Sequence, residues 1–165
     1  MTEEKLDALK RYFEGHPDLG VVSAYPGSHV SVIDRLAALR RHLDHLHELR
    51  PRVTGSASLR DDLSLSNDVL RSLQIVCQAV IDIARDLSAR RGQRFQDYTE
   101  SVRNLAAFPE FPPTVPHDLE VLPGLRNVLI YEYLTLDYAR VIEALDRLSA
   151  VEKFAEIVRR MEAQS

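Results

Sequence analysis

Apolar residues recur every three or four positions along most of this 165-residue chain, the spacing that builds one apolar face on an α-helix. The residues that follow Val32 keep this spacing as far as Leu46, and Pro51 ends the pattern. A second, wider apolar stripe predicts a longer helix from about Ser66 to Arg91. So broad a stripe indicates that neighbouring helices cover it on more than one side.

A shorter helix is predicted after this long one. Asp97 and Glu100 form a capping-box pattern at its start, and it is expected to end near Phe108. The proline-rich stretch that follows, residues 109–116, is expected to be a loop because proline interrupts regular helix.

Three further helices complete the predicted bundle. The first of them is expected to turn four leucines to the core: Leu122, Leu125, Leu129 and Leu136. Asp137 is the expected cap of the next, and Ser149 with Glu152 forms a second capping-box pattern that opens the last. The predicted fold class is all-α, an up-and-down helical bundle with four to five main helices.

The N-terminal stretch has a different pattern. Residues 3–14 predict an amphipathic helix, and Val21 and Val22, followed by a Pro-Gly turn, predict a short extended segment. We therefore expect an N-terminal extension over residues 1–29 and the helical domain over residues 30–165.

Composition narrows the function classes. The chain is 45% hydrophobic and 28% charged, which suits one compact domain, and its net charge of −4 gives no overall attraction to nucleic acid. No apolar run approaches the ~18 residues of a membrane span, so we expect a cytoplasmic protein without membrane contact. Cys77 is the only cysteine, and its apolar neighbours favour a core position over a nucleophile.

Two clusters of polar residues can be interpreted either as ordinary solvated surface or as functional sites. His42, His45 and His47 have spacings compatible with a metal site, but they flank the apolar stripe of their helix among arginines, so we expect a solvated face and no metal.

A group of arginines gathers at the end of the long helix, and its members are Arg85, Arg90, Arg91 and Arg94. They suit either a solvated helix terminus or a patch for RNA phosphates. Asp82, within the long helix, is either exposed or a supporting residue of a site.

The stretch RNVLIYEY places Arg126, Asn127, Tyr131 and Tyr133 in an apolar segment. Its polar residues are either the rim of a core helix or a catalytic site with one residue exchanged.

Four stretches resemble, in order, the HepT-like group of HEPN domains, the toxin half of bacterial HEPN–MNT toxin–antitoxin pairs. They are LQIVCQAVIDIARDLSARRG, YTESVRNLAAF, LPGLRNVLIYEYLTLDYARVIEAL and SAVEKFAEIV. The third is the specific one, and the resemblance runs from about Leu59 to Met161. It implies a homodimer and metal-independent cleavage of RNA without a cofactor.

The family signature is an arginine, four residues, a histidine, one residue and a tyrosine. Arg126 matches the arginine, Asn127 the frequent asparagine beside it, and Tyr133 the closing tyrosine, whereas Tyr131 stands at the histidine position. Imidazole serves as both base and acid near neutral pH. A phenol is ionised only about one part in a thousand at pH 7, a penalty of roughly 4 kcal/mol. The exchange predicts reduced or lost ribonuclease activity with a retained phosphate site.

Helical geometry adds a constraint. Positions five apart on a regular helix lie about 140° apart, so Arg126 and Tyr131 do not converge within one straight helix. Arg126 and Tyr133, seven apart, are expected to share a face. A site that uses both Arg126 and Tyr131 requires a distorted helix or a second copy of the helix, as in the homodimers that the resemblance implies.

The resemblance also implies a partner. In HEPN–MNT pairs a nucleotidyltransferase neutralises the toxin by adding AMP to the motif tyrosine, which makes Tyr133 the candidate acceptor and Tyr131 a second one. An anionic adduct beside Arg126 would compete with RNA phosphate.

The segment LDALKRYFEGHPDLGVVSAYPGSHV resembles the beginning of such a transferase, but no Asp-x-Asp pair for Mg²⁺ follows Gly27-Ser28. It is therefore either a transferase remnant or an unrelated extension.

Two function classes stay open. One is a HEPN toxin-type ribonuclease or its disabled descendant, which Arg126 and Asn127 favour. The other is a non-catalytic helical dimer that binds or regulates a nucleotidyltransferase or binds a nucleotide, which Tyr131 favours.

Overall fold

The computed structural model describes residues 31–164, and over these residues it shows the predicted all-α up-and-down bundle. The helix predicted at residues 3–14, the extended segment after it and the proposed 1–29 extension lie outside the described residues. Within 31–164 no helix is long and apolar enough to span a membrane.

Helix α1 spans Val32–Leu49, and its apolar stripe is buried as the spacing predicts. The hydroxyl oxygen of Ser31 caps it by accepting a hydrogen bond from the backbone N–H of Asp34 at 3.1 Å. A 3-10 turn, Arg50–Arg52, follows around Pro51, and a short helix α2 covers Ser56–Asp61.

Helix α3, Leu63–Arg90, is the long helix of the bundle. It begins three residues before the predicted start because Asp62 caps it, with the carboxylate accepting a hydrogen bond from the N–H of Leu65 at 3.1 Å. It ends before Gly92, which has a positive φ of 67°. Helices α1 and α2 pack against α3.

Helix α4, Tyr98–Arg103, has the predicted capping box. The Asp97 carboxylate accepts a hydrogen bond from the N–H of Glu100 at 2.8 Å, and the Glu100 carboxylate accepts one from the N–H of Gln96 at 2.8 Å. A 3-10 turn, Asn104–Ala107, extends this element.

The predicted loop 109–116 is wrong in its last residues, because a helix α5 covers Thr114–Leu119. Pro116 lies in the first turn, where its missing N–H would have no intrahelical partner in any case. Burial of Val115 and Leu119 supplies the apolar contact that holds this turn.

Helix α6, Leu122–Tyr131, is shorter than predicted. The backbone leaves helical geometry at Glu132, with φ −123° and ψ 26°, and a 3-10 turn, Tyr133–Thr135, follows. Leu136 still packs on the core, but from an extended backbone rather than from α6.

Two helices complete the fold. Helix α7, Tyr138–Leu145, starts at Asp137 as predicted, and the Asp137 carboxylate accepts a hydrogen bond from the N–H of Ala139 at 2.9 Å. Helix α8 spans Ser149–Ala163, but the capping box predicted for it is wrong: Leu148 is the N-cap residue and provides no side-chain cap. The side chain of Glu152 is instead bound to α1.

Aromatic rings join α8 to the segment before α5. Phe154 of α8 is fully buried and stacks on Phe111, with ring centroids 5.7 Å apart and planes 16° apart. Phe108 meets Phe111 edge-on at 6.1 Å. The two contacts fix the linker after α4 onto the core.

Glu152 ties α8 to α1 from the surface. Its carboxylate accepts hydrogen bonds from Arg40 at 2.6 and 2.8 Å, and its Oε1 lies 2.7 Å from Nε2 of His47. The bond from Arg40 holds the pKa of the Glu152 carboxyl below its usual value against the opposing effect of partial burial, and His47 adds to the lowering.

We expect Glu152→Gln to be less stable than the parent protein near pH 7 by about 1 kcal/mol, the size of one charge-assisted contact at a partly exposed site. Because the folded pKa is lowered, this stabilisation is complete above the ordinary carboxyl pKa and is lost as the pH falls through the folded value. Urea unfolding from pH 7 to pH 3 measures it, with Glu110→Gln in an exposed loop position as the control. A difference in unfolding free energy between Glu152→Gln and the parent protein that stays the same down to pH 3 would contradict this role.

Candidate functional site

Arg126 on α6 is the centre of the candidate site. Its half-buried side chain donates from Nε to Oε1 of Gln78 on α3 at 2.8 Å and from Nη1 to Oδ1 of Asn127 at 3.0 Å. Among residues 31–164, Nη2 meets no hydrogen-bond acceptor. The guanidinium is thus held on one side and retains a donor for a ligand.

Gln78 connects Arg126 to a buried carboxylate. Its Nε2 donates to Oδ1 of Asp82 at 2.8 Å, and Asp82 is only 4% exposed. Nη1 of Arg85 lies 3.8 Å from the same oxygen, and Arg35 donates to the backbone oxygen of Asp82 at 3.4 Å. The exposed interpretation of Asp82 is wrong, because α1 and α6 both pack against this part of α3.

Tyr98, at the start of α4, joins the same group. The guanidinium carbon of Arg85 lies 5.4 Å from its ring centroid and that of Arg126 lies 5.7 Å from it. Contact with the ring of Tyr98 orients both guanidinium groups without neutralising their charge. The structure therefore brings together Arg126, Asn127, Asp82 and Arg85.

Sequence patterns did not single out Gln78 or Tyr98. A signal for Gln78 was present, since it is an amide one helical turn before Asp82 in an otherwise apolar part of α3. Tyr98 carried no such signal, because its position beside the two arginines depends on how the α3–α4 connection folds.

The two motif tyrosines lie at the end of α6 in solvent. Tyr131, the last residue of the helix, is 72% exposed, and Tyr133 is 61% exposed in the following turn. Leu134 beside them is 86% exposed. The expectation that Arg126 and Tyr133 share one face of a continuous helix is wrong, because the helix ends between them.

The sequence matches a known protein family and known relatives. The family model described as Ribonuclease HepT-like matches residues 39–161. The chain belongs to the HepT-like ribonuclease family. Its sequence is 30% identical over 121 residues to a tRNA nuclease HepT of Aphanizomenon flos-aquae, covering 70% of this chain and 78% of that protein. It is 24% identical over 131 residues to an mRNA nuclease HepT of Shewanella oneidensis, covering 78% of this chain and 96% of that protein.

Solved structures show the same fold. One is the tri-AMPylated Shewanella oneidensis HEPN toxin in complex with MNT antitoxin, with a TM-score of 0.68 at 22% identity over 78% of this chain and 96% of that chain. Another is the Bacillus subtilis cytosolic protein YutE, of unknown function, with a TM-score of 0.59 at 12% identity over 76% of this chain and 88% of that chain.

The arginines at the end of α3 have different partners in this HepT-like chain. Arg90 pairs with Glu162 at 2.5 Å and with Asp86 at 3.3 Å. Arg91 stacks on Phe108, with its guanidinium carbon 4.0 Å from the ring centroid.

Arg94 is exposed in the connection after α3. Arg85 is thus the member of the group that adjoins Arg126, while Arg90 is bound to acidic side chains. A phosphate patch that includes Arg90, Arg91 and Arg94 stays a prediction.

The three histidines of α1 have separate partners. His42 is half-buried with Nδ1 3.0 Å from the hydroxyl of Ser72, and burial lowers its pKa. His47 contacts Glu152, and His45 lies 3.8 Å from Glu48. Over residues 31–164 no three histidine, cysteine or acidic side chains are grouped as metal ligands.

Cys77 lies in the core next to Gln78 on α3. It is fully buried, and burial raises the pKa of its thiol to about 12, against a smaller opposing effect of Arg126. The thiolate is the reactive form, so Cys77 is a packing residue as predicted.

We expect the native protein to resist modification by 5,5′-dithiobis(2-nitrobenzoic acid) at pH 8, because a thiol with a pKa of about 12 is ionised to only about one part in ten thousand there. Absorbance should show one reactive thiol per chain only after unfolding in guanidinium. Cys77→Ser, which removes the only thiol, is the blank. Rapid labelling of the folded protein would refute the buried, unreactive state.

Proposed function

We propose that this chain is a HEPN toxin-type RNA-binding protein of a HEPN–MNT toxin–antitoxin system, with ribonuclease activity reduced or lost because Tyr131 occupies the position of the motif histidine. The observation that supports it is the fixed guanidinium of Arg126, whose Nη2 meets no acceptor over residues 31–164. A phosphodiester oxygen is the ligand that this geometry suits, since arginine binds phosphate through charge-assisted hydrogen bonds.

Metal-independent cleavage of RNA requires two proton transfers. A base removes the proton of the ribose 2′-hydroxyl, whose oxygen attacks phosphorus, and an acid protonates the departing 5′-oxygen. Arg126 would stabilise the negative charge on the non-bridging phosphoryl oxygens but performs neither proton transfer. Tyr131 is exposed at the end of α6, and a phenol is a weak base at neutral pH.

A homodimer would complete the site. Within one chain, Tyr131 lies at the end of α6 and Arg126 faces α3. A second copy facing α6 would bring Tyr131 of one protomer opposite Arg126 of its partner and would cover Leu134, which is 86% exposed. A leucine this exposed suits burial in such a contact.

The transferase partner is proposed to act on Tyr133. Its exposure of 61% leaves its ring accessible to a second protein. The related Shewanella oneidensis toxin is described as tri-AMPylated and in complex with MNT antitoxin, which supports the same chemistry here.

Restoring the histidine should restore catalysis. We expect Tyr131→His to cleave RNA without added metal at least about a hundredfold faster than the parent protein, the usual contribution of a positioned acid or base. Cleavage of a labelled RNA in the presence of a chelator, together with growth arrest on expression, measures it.

Two variants control this experiment. Tyr131→Phe tests whether the phenol contributes, and Tyr131→His combined with Arg126→Ala should be inactive because the phosphate contact is gone. If the unaltered protein cleaves RNA rapidly and Arg126→Ala abolishes this cleavage, the proposed loss of activity is wrong. If neither form cleaves RNA, the alternative function is favoured, which is a non-catalytic dimer that binds a nucleotidyltransferase or a nucleotide. The presence of Tyr131 at the motif histidine position supports this alternative as well.

Incubation with a cognate MNT nucleotidyltransferase and ATP should add AMP to the peptide that contains Tyr133, because this phenol is exposed in the turn that follows α6. Mass spectrometry of the digested protein detects the adduct. Tyr133→Phe should remove it, and Tyr131→Phe tests the second candidate acceptor. A Tyr133 peptide that stays unmodified in the presence of the transferase and ATP would refute the proposal.

A further inference from the structure

The amide of Gln78 lies between two groups of opposite charge. Its Oε1 accepts from Nε of Arg126 and its Nε2 donates to Oδ1 of Asp82, and both distances are 2.8 Å. Gln78 therefore joins α6 to a buried carboxylate of α3 through two hydrogen bonds.

The chemistry of the neighbours fixes the orientation of this amide. An ionised carboxylate can only accept a hydrogen bond, and the Nε–H of arginine can only donate one. Rotating the amide by 180° would place its NH₂ against Arg126 and its oxygen against Asp82, so both contacts would become repulsive. One orientation is thus strongly preferred.

Asp82, which accepts the hydrogen bond from Gln78, is held in a fixed position. Gln78 and Asp82 lie one turn apart on α3, and Asp82 is 4% exposed. Arg35 on α1 bonds its backbone oxygen, and Arg85 lies near its carboxylate. A buried carboxylate with such neighbours has little freedom to move.

Gln78 is also neutral, and this matters for the charge of Arg126. A carboxylate in direct contact with the guanidinium would orient it but would also cancel much of its attraction for an anion. A neutral acceptor orients the group and leaves its charge available to phosphate.

We infer that Gln78 is a positioning residue, which aims the guanidinium of Arg126 at its anionic ligand by linking it to Asp82 without neutralising it. The ligand, an RNA phosphate, rests on the proposed function. The link itself is a property of the folded chain and is tested separately.

Three variants separate orientation from charge. Gln78→Met keeps the side-chain length but removes both hydrogen bonds. Gln78→Glu keeps an acceptor for Arg126 but adds a negative charge and replaces the donor to Asp82 with a repulsive oxygen. Gln74→Met is the matched control, since Gln74 is half-buried one turn earlier on α3 and takes no part in the link. Thermal unfolding verifies that each variant is folded.

The first measurement tests the link without RNA. In protein labelled with ¹⁵N-arginine, the Nε–H signal of Arg126, assigned by its loss in Arg126→Lys, should exchange slowly with water. We expect exchange about tenfold faster in Gln78→Met, since one hydrogen bond is lost, and little change in Gln74→Met. Equal exchange in Gln78→Met and the parent protein would overturn the inference.

The second measurement tests the consequence for binding, with a fluorescent single-stranded RNA oligonucleotide as the probe. We expect Gln78→Met to weaken binding about tenfold, as loss of one charge-assisted hydrogen bond would, and Gln78→Glu to weaken it at least as much. Gln74→Met should leave binding unchanged. In an Arg126→Ala background, Gln78→Met should have no further effect, because it acts only through Arg126.

The outcomes distinguish the two proposals. If Arg126→Ala does not weaken RNA binding, the proposed function fails while the exchange measurement still decides the link. If Arg126→Ala weakens binding but Gln78→Met does not, the positioning role is refuted and the proposed function stands. Additive losses in the double variant would show a purely structural effect and would also refute it.

Discussion

Helix α3 constrains the rest of the bundle because it is packed on several sides. Helices α1, α2, α4 and α6 all contact it, and 15 of its 28 residues are buried. A polar group on such a helix must find its partner within the protein, since an unsatisfied buried group costs roughly 1–3 kcal/mol. Ser88 does so by donating to the backbone oxygen of Ser101 at 3.2 Å.

The same requirement holds for the buried charge of Asp82, and the arrangement of the candidate site depends on how that charge is satisfied. A buried carboxylate is tolerated when it is hydrogen-bonded and near cations. The amide of Gln78 donates a hydrogen bond to the carboxylate of Asp82, and the guanidinium of Arg85 lies near it. The oxygen of the same amide accepts a hydrogen bond from Arg126 and so holds Arg126 against α3. The arginine that is proposed to bind phosphate is therefore oriented from the hydrophobic core rather than from a loop.

The fold was predictable from the sequence wherever a structural cause was local. Periodic burial identified α1 and α3, and the caps at Asp97 and Asp137 act within one turn of their helices. Prediction failed where tertiary contacts decided the outcome. Glu152 bonds to α1 instead of capping α8. The end of α6 at Tyr131 was not predicted either, because the apolar pattern continues past it. The Gln78 link joins residues 48 positions apart, which helical periodicity does not specify.

The residues proposed for phosphate binding and for proton transfer lie in structurally different surroundings, so substituting them is expected to change the stability of the protein by different amounts. Removing the guanidinium of Arg126 would leave Oε1 of Gln78 without that hydrogen bond beside the core. Tyr131 is 72% exposed at a helix end, where a substitution usually changes stability by no more than about 0.5 kcal/mol. Folding thus constrains Arg126 more tightly than position 131, so the residue at the motif histidine position can change while the proposed phosphate site keeps its geometry.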